Sequence, residues 1–199
     1  MKEETINDYA QFLLLLTSKI NAHFERQKEY LHCKEGCSMC CEQGEYPCSE
    51  LEYEFLKIGM TLLDEATLKE IEENVAKIKE EKANFKGKNF SYKCPFLINK
   101  RCSIYNFRMI ICRTFGIPFY MEEDNILVLK IPFCVHHGLN YSEVYDPVEK
   151  TFSQQMYEKT GYKNPPLASN FSLSFIINKL GKEAMKLDFG EEKSLIDWM

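Results

Sequence analysis

The sequence predicts an α+β fold, predominantly α-helical, in a single domain with a short β-hairpin and cysteine knuckles. Three observations lead there. Apolar residues recur at steps of three and four over 5–30 and again over 64–85, the period of a helix with one buried face. Two apolar, β-rich runs, Phe115 to Met121 and Ile126 to Phe133, flank the acidic turn Glu122-Glu-Asp-Asn125, which is a hairpin signal. Cysteines crowd the middle of the chain, with Cys33, Cys37, Cys40 and Cys41 close together and Cys94, Cys102, Cys112 and Cys134 at wider spacing.

A chain of 199 residues suits one domain, 1–199, with a cluster core at 33–134 and helical flanks at 5–30 and 146–187. Hydrophobic residues make up 45%, enough for a core without external staples. The net charge of -5 argues against a broad nucleic-acid face, which needs basic groups to neutralise phosphates. The opening Met1-Lys-Glu-Glu-Thr5 is acidic, unlike the basic start of an export signal. The apolar run Phe12 to Leu16 falls far short of the ~20 residues that span a bilayer. A cytoplasmic protein is therefore expected, bound to neither membrane nor nucleic acid, with a metal ion as its partner and no protein partner assigned.

In the first helix, Thr5 and Asp8 resemble a capping pair, and Ile6, Tyr9, Leu13, Leu16, Ile20 and Phe24 share a face. His23 and His32 near its end lack paired ligand spacing. Ser49 and Glu52 match a capping box that starts a short helix with Leu51, Phe55 and Leu56 inward, ended by Gly59. Over 64–85, Leu68, Ile71, Val75 and Ile78 face the core, with Phe85 in phase and Lys/Glu residues outside. Cys94-Pro-Phe-Leu-Ile-Asn-Lys-Arg-Cys102 reads as a small hairpin or knuckle, and a short helix carries Ile110, Ile111 and Cys112. Asp146-Pro-Val-Glu149 reads as the start of a helix with Val148, Phe152 and Met156 inward, ended by Gly161. Ser169 is a candidate cap for a last helix, and the tail after Gly190 is expected to be mobile apart from Trp198.

Thiolates are soft, strong ligands for zinc and for iron–sulfur clusters. Cys37-x2-Cys40 has knuckle spacing, and the pairs Cys33/Cys37 and Cys37/Cys41 lie on one face of a helical turn. Neighbouring side chains diverge, so Cys40 and Cys41 are expected to serve two metals, or one of them to be structural. Two sets of four use Cys33, Cys37, Cys40, Cys41, Cys94, Cys102, Cys112 and Cys134, and leave Cys48 spare. Eight thiolates around two zinc ions keep about four negative charges. Arg108 and Arg113, with Arg101 nearby, are candidates to offset them and to hydrogen-bond the sulfurs. His136 and His137 beside Cys134 leave open a mixed, catalytic site, although no G-x-G-x-x-G cofactor loop occurs and no reaction is assigned. Zinc is the expected cofactor and an iron–sulfur cluster with a redox role the alternative, disfavoured because the tight ferredoxin run ending in Cys-Pro is absent. On this reading Cys37→Ser lowers metal content and destabilises the fold.

The block Cys33/Cys37/Cys40–Cys41, then Cys94-Pro-Phe-Leu, Arg101-Cys102-Ser-Ile-Tyr105, Arg108 and Cys112-Arg113-Thr-Phe115 resembles the YkgJ-type cysteine-cluster family, abbreviated CxxCxxCC. The resemblance implies zinc or iron chelation without a settled reaction. It carries over onto Cys33, Cys37, Cys40, Cys41, Cys94, Cys102 and Cys112, with Cys134 at the edge of the motif. Two departures stand out: the first gap has three residues instead of two, and Met109 stands where the family usually has proline. The two cysteine blocks, parted by the 64–85 helix, are expected to meet in space.

Overall fold

The first helix, α1, runs over Glu3–Arg26, and a 3-10 turn at Lys28–Tyr30 continues it. The computed structural model describes residues 3–199. Because α1 already covers Glu3, Thr5 is not its N-cap. The anticipated stripe is real: Tyr9, Leu13, Leu16 and Ile20 are buried, with Phe12 beside them. About half of the described chain is helical and 14% is strand, so the fold is α+β with helix predominant.

The chain packs as two compact units. The first takes in the start of the chain through Ala10, then Glu35–Cys112 and Leu187–Met199. Its helix α2 is a single turn at Met39–Glu42, closed by Cys41 and Glu42 N–H groups donating to the Ser38 carbonyl. Strand β1 (Pro47–Ser49) leads into α3 (Glu50–Met60). Ser49 and Glu52 form the expected capping box, each bonding the other's backbone N–H. Gly59 does not end the helix. It lies within α3, where an added Cβ would come within 2.6 Å of the Phe107 ring, so glycine permits a close approach.

Helix α4 (Glu65–Asn84) starts at Asp64, whose carboxylate accepts the Thr67 N–H. It buries Ile71, Val75 and Ile78, while Phe85 falls just beyond it, is exposed and packs on Phe90. Strands β2 (Leu97–Ile98) and β3 (Arg101–Cys102) form the small hairpin, turned by Asn99 and Lys100 at positive φ. Helix α5 spans Ile110–Thr114. The core of this unit gathers Leu56, Ile71, Phe96, Ile104, Leu195 and Ile196.

The second unit comprises Gln11–Lys34 and Arg113–Lys186. Strands β4 (Phe119–Glu123) and β5 (Ile126–Lys130) form the anticipated hairpin, with Asp124 and Asn125 at positive φ in its turn. The helix expected at Asp146 is absent. Strand β6 (Tyr145–Asp146) instead pairs with β7 (Thr151–Phe152), and Asp146 Oδ1 accepts the Val148 and Glu149 N–H groups. The short aspartate side chain satisfies a turn in place of a helix end, and Val148 points to solvent. Helix α6 (Gln154–Thr160) is capped by Ser153 and ends at Gly161, φ 70°. Phe175–Ala184 follows with π-helical hydrogen bonding, and Ser172 rather than Ser169 bonds its first turn.

The core here centres on Tyr30, Val135, Tyr141 and Val144, with the Tyr30 and Tyr141 rings stacked at 5.2 Å. His23 is a core residue, 5% exposed, with Nδ1 2.7 Å from Ser169 Oγ and Nε2 3.3 Å from the Tyr141 hydroxyl. Burial, aided by the Arg26 charge, pushes its pKa down to about 4. The native state therefore binds fewer protons than the unfolded one between about pH 4 and 6.5, so stability is full above that window and falls on acidification. We expect a loss of about 2 kcal/mol between pH 7 and pH 5 in wild type that His23→Gln lacks, measured by urea unfolding. An equal loss in both proteins would remove His23 as its source.

The tail after Gly190 departs furthest from expectation. Glu192–Ser194 forms β8, antiparallel to β1, with Pro47 opposite Ser194. Helix α7 (Leu195–Trp198) then buries Leu195 and Ile196 completely, and Trp198 Nε1 donates to the Cys48 carbonyl at 2.8 Å.

Candidate metal centre

Inside the first unit the end of the first cysteine block touches the start of the second. The Cys94 N–H donates to the Cys41 carbonyl at 2.8 Å, which places the start of the knuckle against α2. The Leu97 N–H returns to the Cys94 carbonyl at 3.0 Å, and the hairpin sets Cys102 opposite Leu97. Asn74 on α4 holds the same turn by donating to the Pro95 carbonyl. Helix α5, which carries Cys112, is anchored at its first residue: the Ile110 N–H donates to Glu52 Oε1 at 2.8 Å.

Backbone N–H groups of Phe96 and Leu97 pull the Cys94 thiol down, and that of Ile104 pulls Cys102 down, though burial outweighs them in both. Such donors favour the charged thiolate, the form that binds metal. Proline at position 95 leaves the knuckle without a competing donor there. The Cys40 and Cys41 sulfurs lie 3.8 Å apart, one thiol donating to the other. Adjacent side chains were expected to diverge; on the single turn of α2 they converge. With Zn–S bonds of about 2.3 Å, two sulfurs of a tetrahedral site stand about 3.8 Å apart.

Electrostatics tie five thiols together. Burial pushes the Cys94 thiol up to about 12, with Cys102 and Cys40 adding to it. Cys112 is raised well above the usual range by burial and then by Cys94, Cys102 and Cys40. Burial also raises Cys102. The hydrogen bond between the adjacent pair lowers Cys40 and raises Cys41. Crowded, partly buried thiols resist ionising together because each thiolate repels the next, and a cation that displaces their protons relieves that repulsion. By the chemistry of its donors, all thiols, the set suits a thiophilic metal. Among the described residues, no group of three or more His, Cys, Asp or Glu side chains is placed to hold a metal ion. The five thiols act on one another electrostatically, and of their sulfurs Cys40 and Cys41 stand close together, 3.8 Å apart.

The arginines divide. Arg108 stacks on Tyr105, 3.6 Å from the ring centroid, and its charge favours the thiolates of Cys40, Cys102 and Cys112. Arg101 is exposed and pairs with Glu35. Arg113, in the second unit, is buried and donates to Thr17 Oγ1 at 3.3 Å. Cys37 is exposed in the first unit, and Cys33, also exposed, and Cys134, buried, belong to the second. Cys48 is fully buried; its thiol donates to the Ser49 carbonyl, and burial raises its pKa, so it behaves as core. His136 and His137 are exposed and lie against the Tyr145 and Phe133 rings.

One contributor was hidden in the sequence. Glu52 looks like an ordinary capping residue, yet it is 3% exposed and takes three donors: Ser49 N–H, Ser49 O–H and Ile110 N–H. It thereby links α3 to the helix that carries Cys112. Only the unusual burial of a cap carboxylate distinguishes it, and burial is not written in the S-x-x-E pattern.

Among the described residues no helix is long and apolar enough to cross a membrane. No curated protein and no solved structure matches the chain significantly. A family does: residues 32–132 match CxxCxxCC, described as "Putative zinc- or iron-chelating domain". That match takes in every cysteine of the five-thiol group and spans half of the sequence. The chain belongs to the CxxCxxCC family of metal-chelating domains.

Proposed function

We propose that the protein is a cytoplasmic zinc-binding protein whose metal is held by cysteine thiolates. Cys40, Cys41, Cys94, Cys102 and Cys112 supply the central ligands. Cys33, Cys37 and Cys134 complete the set of eight, and Arg108 and Arg113 offset its charge. The observation that carries this reading is the 3.8 Å separation of the Cys40 and Cys41 sulfurs, the spacing of two thiolates on one tetrahedral ion. The Cys94 N–H bond to the Cys41 carbonyl adds support, since it ties the second cysteine block to the end of the first. An all-thiolate set with no open position suits a structural ion that fixes the fold.

The test is elemental analysis of protein purified without oxygen, read together with its visible spectrum. Bound zinc, no iron and a colourless solution are expected. A brown protein with acid-labile sulfide, bleached by dithionite, would replace zinc with an iron–sulfur cluster. Protein that takes up neither metal when reduced and supplied with both would end the metal reading.

A further inference from the structure

Cys40 and Cys41 are neighbours in space as well as in sequence. Their sulfurs stand 3.8 Å apart, one thiol donating to the other. Both residues are partly exposed, so a small polar molecule can reach them from solvent. The charge of Arg108 acts on Cys40. A reachable sulfur beside a cation is the setting in which thiols react. The sequence offers a rival partner, because Cys37-x2-Cys40 is also the spacing of a redox pair. Cys37, however, is exposed and lies ahead of α2, outside its turn.

The turn that brings these sulfurs together is lightly held. Helix α2 has four residues, none of them buried. The Cys41 and Glu42 N–H groups donate to the Ser38 carbonyl at 2.7 and 3.1 Å, and the Ser38 hydroxyl donates to Glu42 Oε1 at 2.7 Å. So short a helix has little stability of its own. The Cα atoms of adjacent residues are about 3.8 Å apart across a trans peptide, whereas disulfides usually span about 4.4–6.8 Å. Closing the two sulfurs to the bonded distance of about 2.05 Å therefore makes the backbone of α2 shift. The Cys41 carbonyl shifts with it, and that carbonyl holds the Cys94 N–H at 2.8 Å. A strained disulfide of this kind is readily reduced again.

We propose that Cys40 and Cys41 form a reversible redox site, in which a hydroperoxide joins the two sulfurs in a disulfide that opens α2 and releases the Cys94 N–H. One sulfur attacks the terminal peroxide oxygen. The S–O bond forms as the O–O bond breaks, and the remainder leaves as alcohol or water with the thiol proton. The second sulfur then attacks that sulfenic acid. The S–S bond forms as the S–O bond breaks, and water leaves with the second proton. The pair loses two electrons and the peroxide gains them. This inference goes beyond zinc binding and does not rest on it, although a disulfide withdraws both sulfurs as thiolate donors.

The experiment treats the full-length reduced protein with one equivalent of hydrogen peroxide, caps the remaining thiols with N-ethylmaleimide and locates the caps by tandem mass spectrometry. In the fragment 36–42 the expected result is a cap on Cys37 and none on Cys40 or Cys41, which together lack two hydrogens. Reduced glutathione should restore both thiols. Cys37→Ser should form the bond as fully as wild type. Cys41→Ser should form none and carry Cys40 on to sulfinic acid. In the oxidised protein the Cys94 amide should exchange its hydrogen about tenfold faster, as loss of one backbone hydrogen bond implies. A first disulfide from Cys40 to Cys37 or to Cys94 would overturn the proposal. So would oxygen-bearing cysteines without a disulfide, or unchanged exchange at Cys94. Should Cys41→Ser not fold, Cys37→Ser decides alone, and loss of the bond there overturns the proposal. Zinc content, measured before peroxide is added, is a separate readout. A zinc-loaded protein that never forms the bond keeps zinc binding and loses this inference; one that takes up no metal but forms the bond does the reverse.

Discussion

Cys94→Ser should strip metal and stability from the protein together. Its thiol is buried and interacts electrostatically with Cys40, Cys41, Cys102 and Cys112. Serine keeps the size but loses the soft donor, so on the zinc reading the site loses a ligand. Structural zinc contributes on the order of 10–16 kcal/mol to the folding of small metal domains, so even a partial loss exceeds ordinary core substitutions. We expect at least tenfold weaker zinc binding and a melting temperature lower by several degrees. Cys48→Ser is the control, because that thiol is also buried but bonds the Ser49 carbonyl. It should cost about 1–3 kcal/mol through the buried hydroxyl and leave metal content intact. Equal metal loss from both variants would mean that the knuckle acts through general stability. Retained metal in Cys94→Ser would mean that this thiol is no ligand.

The second large effect concerns residues 192–199. Removing them should unfold the first unit. Leu195 and Ile196 are completely buried, and Trp198 stacks on Tyr53 at 5.4 Å. Burying a large apolar side chain stabilises by about 1.5–3 kcal/mol. Three such side chains plus the β1–β8 pairing approach the whole stability of a domain, about 5–15 kcal/mol. Loss of near-UV dichroism and of hydrogen-exchange protection in α3 and α4 is the expected result. A shortened protein that kept native melting behaviour would show that β1 is held without β8.

How much of this was readable depends on whether the signal is local. The capping box at Ser49, the stripe on α4 and the Asn99-Lys100 turn each lie within a few residues, and each appears as expected. Asp146 misled because an aspartate before proline caps helices and turns alike, and the choice was made by Thr151 and Phe152 pairing back across the turn. The tail misled because Glu192-Lys-Ser is polar and short. It becomes a strand only through β1, a partner most of the chain away.

The site shows the same division. The contact between the end of the first cysteine block and Cys94 was expected from the residue types of the two blocks. The approach of Cys40 to Cys41 was not, because it depends on side-chain rotation within α2. Nor was the unequal use of the arginines, since Arg108 and Arg113 differ in surroundings rather than in motif.

The β1–β8 ladder also orders events during synthesis. A ribosome releases the N-terminal part of a chain first, and folding generally begins before synthesis ends. The first unit is built from separated stretches, and its core is incomplete until Leu195 and Ile196 have emerged. Cys40, Cys41, Cys94, Cys102 and Cys112 are all translated earlier, so for that interval they stand on a nascent chain whose frame is unfinished. If these thiols take the ion, its capture and the closure of β8 become coupled steps.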